Sequence, residues 1–189
     1  MKKYQIIYAD PPWEYKTYSF RGQTKANGSM LPHYSTMTPE QIKKLPIKEI
    51  TDDKAILFLW ATMPTLQQAF AVIKSWGFIY KTVAFTWVKQ NPSGIGIYSG
   101  MGHWTNGNAE LCLLATKKEF PSRIRKDIKQ IQLFPRGKHS AKPTEIRNQI
   151  TELMGDLPRI ELFAREKTEG WDVWGNEVKS DIELAEKST

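Results

Sequence analysis

Tyr4-Gln5-Ile6-Ile7-Tyr8-Ala9-Asp10-Pro11-Pro12-Trp13 decides how this chain is read. The first six residues are a nearly continuous apolar run, the pattern of a strand covered on both faces of a parallel sheet. Asp10 closes that strand. The two prolines then fix φ and remove two N–H donors, and residues preceding proline are pushed to extended backbone. The expectation is a stiff turn whose carbonyls point outward with no ladder to join. Strand ends of open α/β sheets are where ligands bind. One carboxylate, one fixed carbonyl acceptor and one flat ring suit the grip of an exocyclic amino group on a planar base. The same four residues also fit a plain turn followed by a core tryptophan, so the rest of the chain has to decide.

Outward from that stretch, strand-like runs alternate with helix-like ones. Residues 55–60, Ala-Ile-Leu-Phe-Leu-Trp, read as a second buried strand, and residues 80–89, 110–116 and 159–163 as three more. Thr38 before Pro39 and Glu40 suits a helix N-cap. Residues 62–76 read as a helix with Pro64 in its first turn and Gly77 as its stop. Residues 142–154 read as another, ending at Gly155. Strands separated by helices predict an α/β fold, a mostly parallel sheet with helices on both faces. Two long loops remain, 14–37 and 90–108, and loops of that length are usually functional or disordered. The second holds Pro92, Gly94, Gly96, Gly100, Gly102 and Gly107.

The chain has 189 residues, which suits one domain with a proper core, residues 1–189, ending in a polar tail at 179–189. No apolar run approaches the roughly 18 residues of a membrane span, so no membrane partner is expected. The N-terminus enters a strand directly, with no signal peptide in view. A single cysteine, Cys112, excludes an internal disulfide and a cysteine metal site, and its apolar neighbours mark it as a small core residue. His33, His103 and His139 lack metal spacing, so no metal is expected and each reads better as a loop or substrate contact. There is no Gly-x-Gly-x-x-Gly, Walker A sequence or nucleophile elbow.

Net charge is +7, and it is concentrated. Residues 117–142 carry nine basic side chains against two acidic ones, a local balance of +7. Such a stretch is either a solvated basic face or the footprint of a polyanion. Arg123, Arg125 and Lys126 at its centre are the candidate contacts to a nucleic acid. Seven tryptophans favour base stacking in addition.

Taken together, these segments resemble the N6-adenine methyltransferase family with an Asp-Pro-Pro-Trp motif. That family includes the catalytic subunit of the messenger-RNA adenine methylation complex and many bacterial and phage DNA enzymes. Eight blocks match in order, from position 8 to about position 181. They begin with Ala9-Asp10-Pro11-Pro12-Trp13, Tyr34-Ser35-Thr36-Met37, Leu57-Phe58-Leu59-Trp60 and Trp87-Val88-Lys89. Gly102-His103-Trp104, His139-Ser140-Ala141-Lys142-Pro143, the block from Ile160 to Arg165, and the segment from Trp171 to Glu177 complete them.

The resemblance implies a Rossmann-like fold that uses S-adenosyl-L-methionine, permuted so that the catalytic motif precedes the cofactor strand. It implies a catalytic set of Asp10, Pro11, Pro12 and Trp13. Asp10 and the Pro11 carbonyl would hold the adenine amine, and the ring of Trp13 or Tyr34 would stack on the base. Asp10, Lys142, Glu161, Phe163, Arg165, Asn176 and Glu177 would surround the cofactor, with Trp171 packed nearby. His103 and Trp104 would touch the substrate with Tyr34. Read without the family, Glu161 also fits a strand end, Arg165 a salt bridge, and Asn176 and Glu177 a turn cap. Trp60 and Trp87 fit either a pocket wall or the core. Lys142 stands at a helix start, where a cation opposes the dipole, so a local anion is expected there, the cofactor's carboxylate.

The substrate expected is nucleic acid, DNA before RNA, in the cytoplasm of a bacterial or phage-infected cell. An RNA enzyme and a non-catalytic nucleic-acid-binding partner subunit stay open, as does a homodimer. The family commonly has glycine where Ala164 stands, and the turn there is expected in a standard conformation. The loop 14–32 does not align with the family and receives no role.

Overall fold

The computed structural model describes residues 2–14, 36–100, 102, 104–137 and 141–184. Tyr34, His103, His139, most of the 14–37 loop and the end of the polar tail lie outside the described residues.

Seven strands build one sheet: β1 (Tyr4–Ala9), β2 (Thr51–Ala61), β3 (Ile79–Gln90), β4 (Ala109–Thr116), β5 (Ile131–Pro135), β6 (Arg159–Leu162) and β7 (Asp172–Trp174). Their order across the sheet is β5-β3-β4-β2-β1-β6-β7. β1 is flanked by β2 and β6, both parallel to it, which is why its sequence is apolar on both faces. β4 alone runs against its neighbours. It follows β3 through residues 91–108, which hold no helix among the described residues, and a direct return of that kind pairs antiparallel. The α/β, mostly parallel sheet expected from the sequence is therefore what forms, with one reversed strand.

Alternation along β1 divides its side chains between two cores. Ile7 and Ala9 face α1 (Pro39–Lys44), α2 (Ile47–Ile50) and α3 (Leu66–Ser75), meeting Ile42, Ile47, Val72 and Ile73. Ile6 and Tyr8 face α4 (Thr144–Met154), meeting Ile146, Ile150 and Met154, which recur every fourth residue along one helix face. Thr38 caps α1 as expected: its hydroxyl accepts from the Gln41 N–H at 3.2 Å and the Gln41 side chain accepts from the Thr38 N–H at 2.8 Å. Gly77 stops α3 with φ +77°, a conformation that glycine adopts without strain.

Several boundaries differ from expectation. The helix expected at 142–154 starts at Thr144, which leaves Lys142 outside it. The helix expected at 62–76 opens with a separate 3-10 turn, Met63–Thr65. β2 begins at Thr51, because Asp52, Asp53 and Lys54 extend at its solvent end and mask it in an apolar count. β5 was hidden inside the basic stretch, since at the sheet edge it leaves Ile131 and Leu133 exposed. Trp60 and Trp87 belong to the core, edge to face at 6.4 Å, and Cys112 is buried beside them.

Candidate active site

Asp10 stands where β1 stops. Its N–H still reaches the Leu162 carbonyl at 3.5 Å, so β6 aims it. The turn after it is tied down more than its prolines suggest. The Trp13 N–H donates to the Pro11 carbonyl at 2.8 Å, and the Met37 N–H donates to the Pro12 carbonyl at 2.8 Å. The expected outward carbonyls therefore do have partners, and each keeps one lone pair. Trp13 is 5% exposed within the helix-covered core, and its indole N–H donates to the Trp60 carbonyl at 3.0 Å. That ring is core, and it offers no open face to a base.

The Asp10 carboxylate is held by Lys142, whose Nζ lies 2.7 Å from both oxygens. The same Nζ lies 3.2 Å from Glu110 on β4, and Lys89 on β3 lies 2.5 Å from the other Glu110 oxygen. The anion expected near Lys142 is thus supplied by the protein itself. Burial, the largest influence, lifts Asp10 above the usual carboxylate range against the pull of Lys142. Burial works against the charge on Lys142 too, but Asp10 and Glu110 together hold its pKa above the lysine range. On Glu110 the two lysines outweigh burial and keep its pKa low.

A second charged cluster sits one strand away. Glu161 on β6 is level with Tyr8 of β1 and points towards α4, where the Arg147 Nε is 2.9 Å from its Oε2. The angle is wrong for a hydrogen bond, so both atoms are buried without a hydrogen-bond partner. Burial pushes Glu161 up to about 7, with Arg147 opposing and Asp10 and Glu166 adding to the rise. Arg147 also reaches Thr168 and, at 3.8 Å, Glu166.

Beyond β6 the chain adopts a left-handed residue, Phe163, with φ +62°. Such a conformation in an aromatic residue is strained, and strain of this kind gathers at functional sites. Ala164, where the family prefers glycine, is not the left-handed residue; the turn expected to be standard is unusual one position earlier. The Phe163 ring meets Trp174 edge to face at 5.4 Å. Gly175 closes the turn after β7, because a Cβ there would come within 2.1 Å of the Ala164 carbonyl oxygen. Asn176 and Glu177 follow on the surface, and the Glu177 carboxylate is 3.7 Å from Arg165. Arg165 in turn pulls the Asp10 pKa down.

The fold therefore gathers Asp10, Lys142, Glu161, Phe163, Arg165, Asn176 and Glu177 at the ends of β1, β6 and β7. Glu161, a buried carboxylate near a strand end with an oxygen that lacks a hydrogen-bond partner, has the acceptor capacity for a ligand carrying vicinal hydroxyls.

Trp171 does not join them. It precedes β7, at the level of Arg159, and packs in the α4-side core against Tyr8 at 6.0 Å. Arg123, Arg125 and Lys126 do not join them either. The N–H groups of Ile124 and Arg125 bond to the Leu153 carbonyl at the far end of α4, a helix about 16 Å long. Arg125 is also matched by Asp127 and Glu152. Trp104, by contrast, is 92% exposed on the loop between β3 and β4, at the Asp10 end of the sheet. Arg136 lies at that end too, over the Tyr98 ring at 4.2 Å.

Three residues of these clusters had no role in the sequence reading: Lys89, Glu110 and Arg147. A carboxylate inside the apolar strand 109–116 and an arginine between Ile146 and Ile150 were their signals, because buried charges need partners.

A family model described as MT-A70 matches residues 4–177 of this chain. The type II methyltransferase M.MunI from Mycoplasma sp is 36% identical, over 94% of this chain and 78% of that protein. The N(6)-adenine-specific methyltransferase METTL4 of Mus musculus is 28% identical and that of Homo sapiens 27%, each over 94% of this chain but 38% of the relative. The match spans both charged clusters and every strand of the sheet, and the chain belongs to the MT-A70 family.

Proposed function

We infer that this chain methylates the N6 amine of adenine in DNA, using S-adenosyl-L-methionine. The observation that carries the reading is a single family match spanning the Asp10 turn and the Glu161–Glu177 cluster, which supports one unit holding both amine and cofactor. The chain's likeness to a type II methyltransferase over most of that protein's length favours DNA over RNA.

The amine nitrogen of adenine is a weak nucleophile because its lone pair is delocalised into the ring. The Asp10 carboxylate and the remaining lone pair of the Pro11 carbonyl accept its two N–H bonds. That favours a pyramidal nitrogen with a freer lone pair. Burial makes Asp10 a stronger base than an exposed carboxylate, which suits it to take the amino proton after attack. When bound, the cofactor supplies a methyl group already activated on a sulfonium, so the protein's task is alignment. Glu161 would accept the ribose hydroxyls, and Phe163, Arg165, Asn176 and Glu177 would complete its wall with Lys142. With Trp13 in the core, base stacking falls to Tyr34. A duplex substrate requires the adenine to be flipped, and Trp104 and the 91–108 loop stand at the right end to hold the opened strand.

The test is methyl incorporation from labelled cofactor into matched DNA and RNA oligonucleotides. Transfer to adenine N6 in DNA is expected, and Asp10→Ala should lower it by at least about 100-fold while the protein stays folded. Transfer to RNA alone, or full activity in the variant, would overturn the reading.

A further inference from the structure

The mechanism above leaves Glu110 and Lys89 without a task, although both stand at the centre of the charged cluster. Glu110 is buried in β4, 2.5 Å from Lys89 and 3.2 Å from Lys142. Lys142 meanwhile sits in the fork of the Asp10 carboxylate, 2.7 Å from each oxygen. An amine that donates to Asp10 approaches the same two oxygens. A lysine that yields the fork to the amine, with a side chain only 10% exposed, cannot do so by turning to water.

We propose that Glu110 is a positioning residue that receives Lys142 when Asp10 takes up the amine. The inference rests on the methyltransferase reading. The distances make the transfer short, since Glu110 is already at contact distance from the ammonium. The charges make it feasible. With Lys142 in the Asp10 fork, Glu110 is still paired with Lys89, so no carboxylate is buried alone. With Lys142 on Glu110, the ammonium keeps a counter-ion, and the Asp10 charge is met by one N–H of the amine, whose other N–H goes to the Pro11 carbonyl. A buried charge without a partner would be heavily penalised, and in neither arrangement does one arise. Lys89 is the anchor: from the neighbouring strand it fixes Glu110 in place before and after the exchange.

Two measurements test this. The first is a structure of the active protein with S-adenosyl-L-homocysteine and an adenine-containing DNA oligonucleotide. Lys142 is expected within hydrogen-bond distance of Glu110 and withdrawn from the Asp10 fork. The second is the kinetics of Glu110→Gln, which keeps the shape but removes the charge that would receive the lysine. Its kcat is expected to fall about 100-fold, the scale of a misplaced reacting group. KM for DNA should stay within about threefold, and Glu110→Asp should recover part of the loss. Lys142 remaining on both Asp10 oxygens in the complex would overturn the proposal even if Glu110→Gln did not fold. So would a Glu110→Gln protein with parental kcat. A parent protein unable to methylate DNA or RNA would instead sink the methyltransferase reading, and this inference with it.

Discussion

The cluster at the end of β1 and the loop at residues 123–127 are both made of cations set against carboxylates, and they behave in opposite ways. In the first, Lys89, Glu110, Lys142 and Asp10 alternate in sign across three strands and a helix entrance, largely out of water. In the second, Arg125 pairs with Asp127 two residues away and with Glu152, in solvent. By charge density along the chain the second region looked functional. Burial is the largest influence on ionisation in the first. In the second the Arg125–Asp127 hydrogen bond is the largest influence, raising the one and lowering the other, in water that screens the pair. The lesson is that a charge run in sequence says little about where those charges stand. Residues 117–142 start at the α3 end, where the Lys117 Nζ reaches the Trp76 carbonyl at 3.2 Å, and end with Lys142 against Asp10.

The contrast predicts a descending series of effects. The largest after the active-site variants belongs to Arg147→Met, which leaves Glu161 buried without its cation. A loss of about 3–5 kcal/mol is expected, read from denaturant unfolding. That loss should be greater at pH 8 than at pH 6, because the deserted carboxyl relieves the strain by taking up a proton. The sign follows from Glu161 in the parent. A carboxyl raised from 4.5 to about 7 favours the fold when protonated, so its contribution fades as pH rises through that window. A parent protein whose stability climbs from pH 5 to pH 7, with Glu161→Gln changing nothing, would break the assignment.

Next comes binding. Ionised Glu161 is the better acceptor for two hydroxyls, so affinity for S-adenosyl-L-homocysteine should rise several-fold between about pH 6 and about pH 8. Calorimetry should find that rise absent in Glu161→Gln. The smallest effect belongs to Arg125→Ala. Its ion pairs are exposed, and it stands at the end of α4 remote from Asp10. Unfolding midpoint and kcat/KM on an oligonucleotide should both match the parent. A marked loss of DNA affinity with an altered salt dependence would restore the basic loop as a contact surface.

The positions of the candidate site were legible beforehand in part. Asp10, Lys142, Glu161, Phe163, Arg165, Asn176 and Glu177, the positions the family motifs name, stand at or near the ends of β1, β6 and β7 or just before α4. Trp13 and Trp171 went to the core instead, since an aromatic after a strand satisfies a buried cavity as well as a ligand. Glu110 and Arg147 were not legible as site residues, because nothing in their local sequence names the partner that makes their burial tolerable. Tyr34 and His103 lie outside the described residues.

What the sequence determined by itself was the alternation of elements, the two-faced apolar character of β1 and the stiff turn after Asp10. These are local properties of pattern and proline chemistry. Only the tertiary structure decided that β4 runs backwards, carrying Glu110 to the Asp10 end, and that Lys142 is shared between two carboxylates. Pairing across a sheet joins residues more than a hundred positions apart, and the energy of a buried charge depends on what that pairing places beside it.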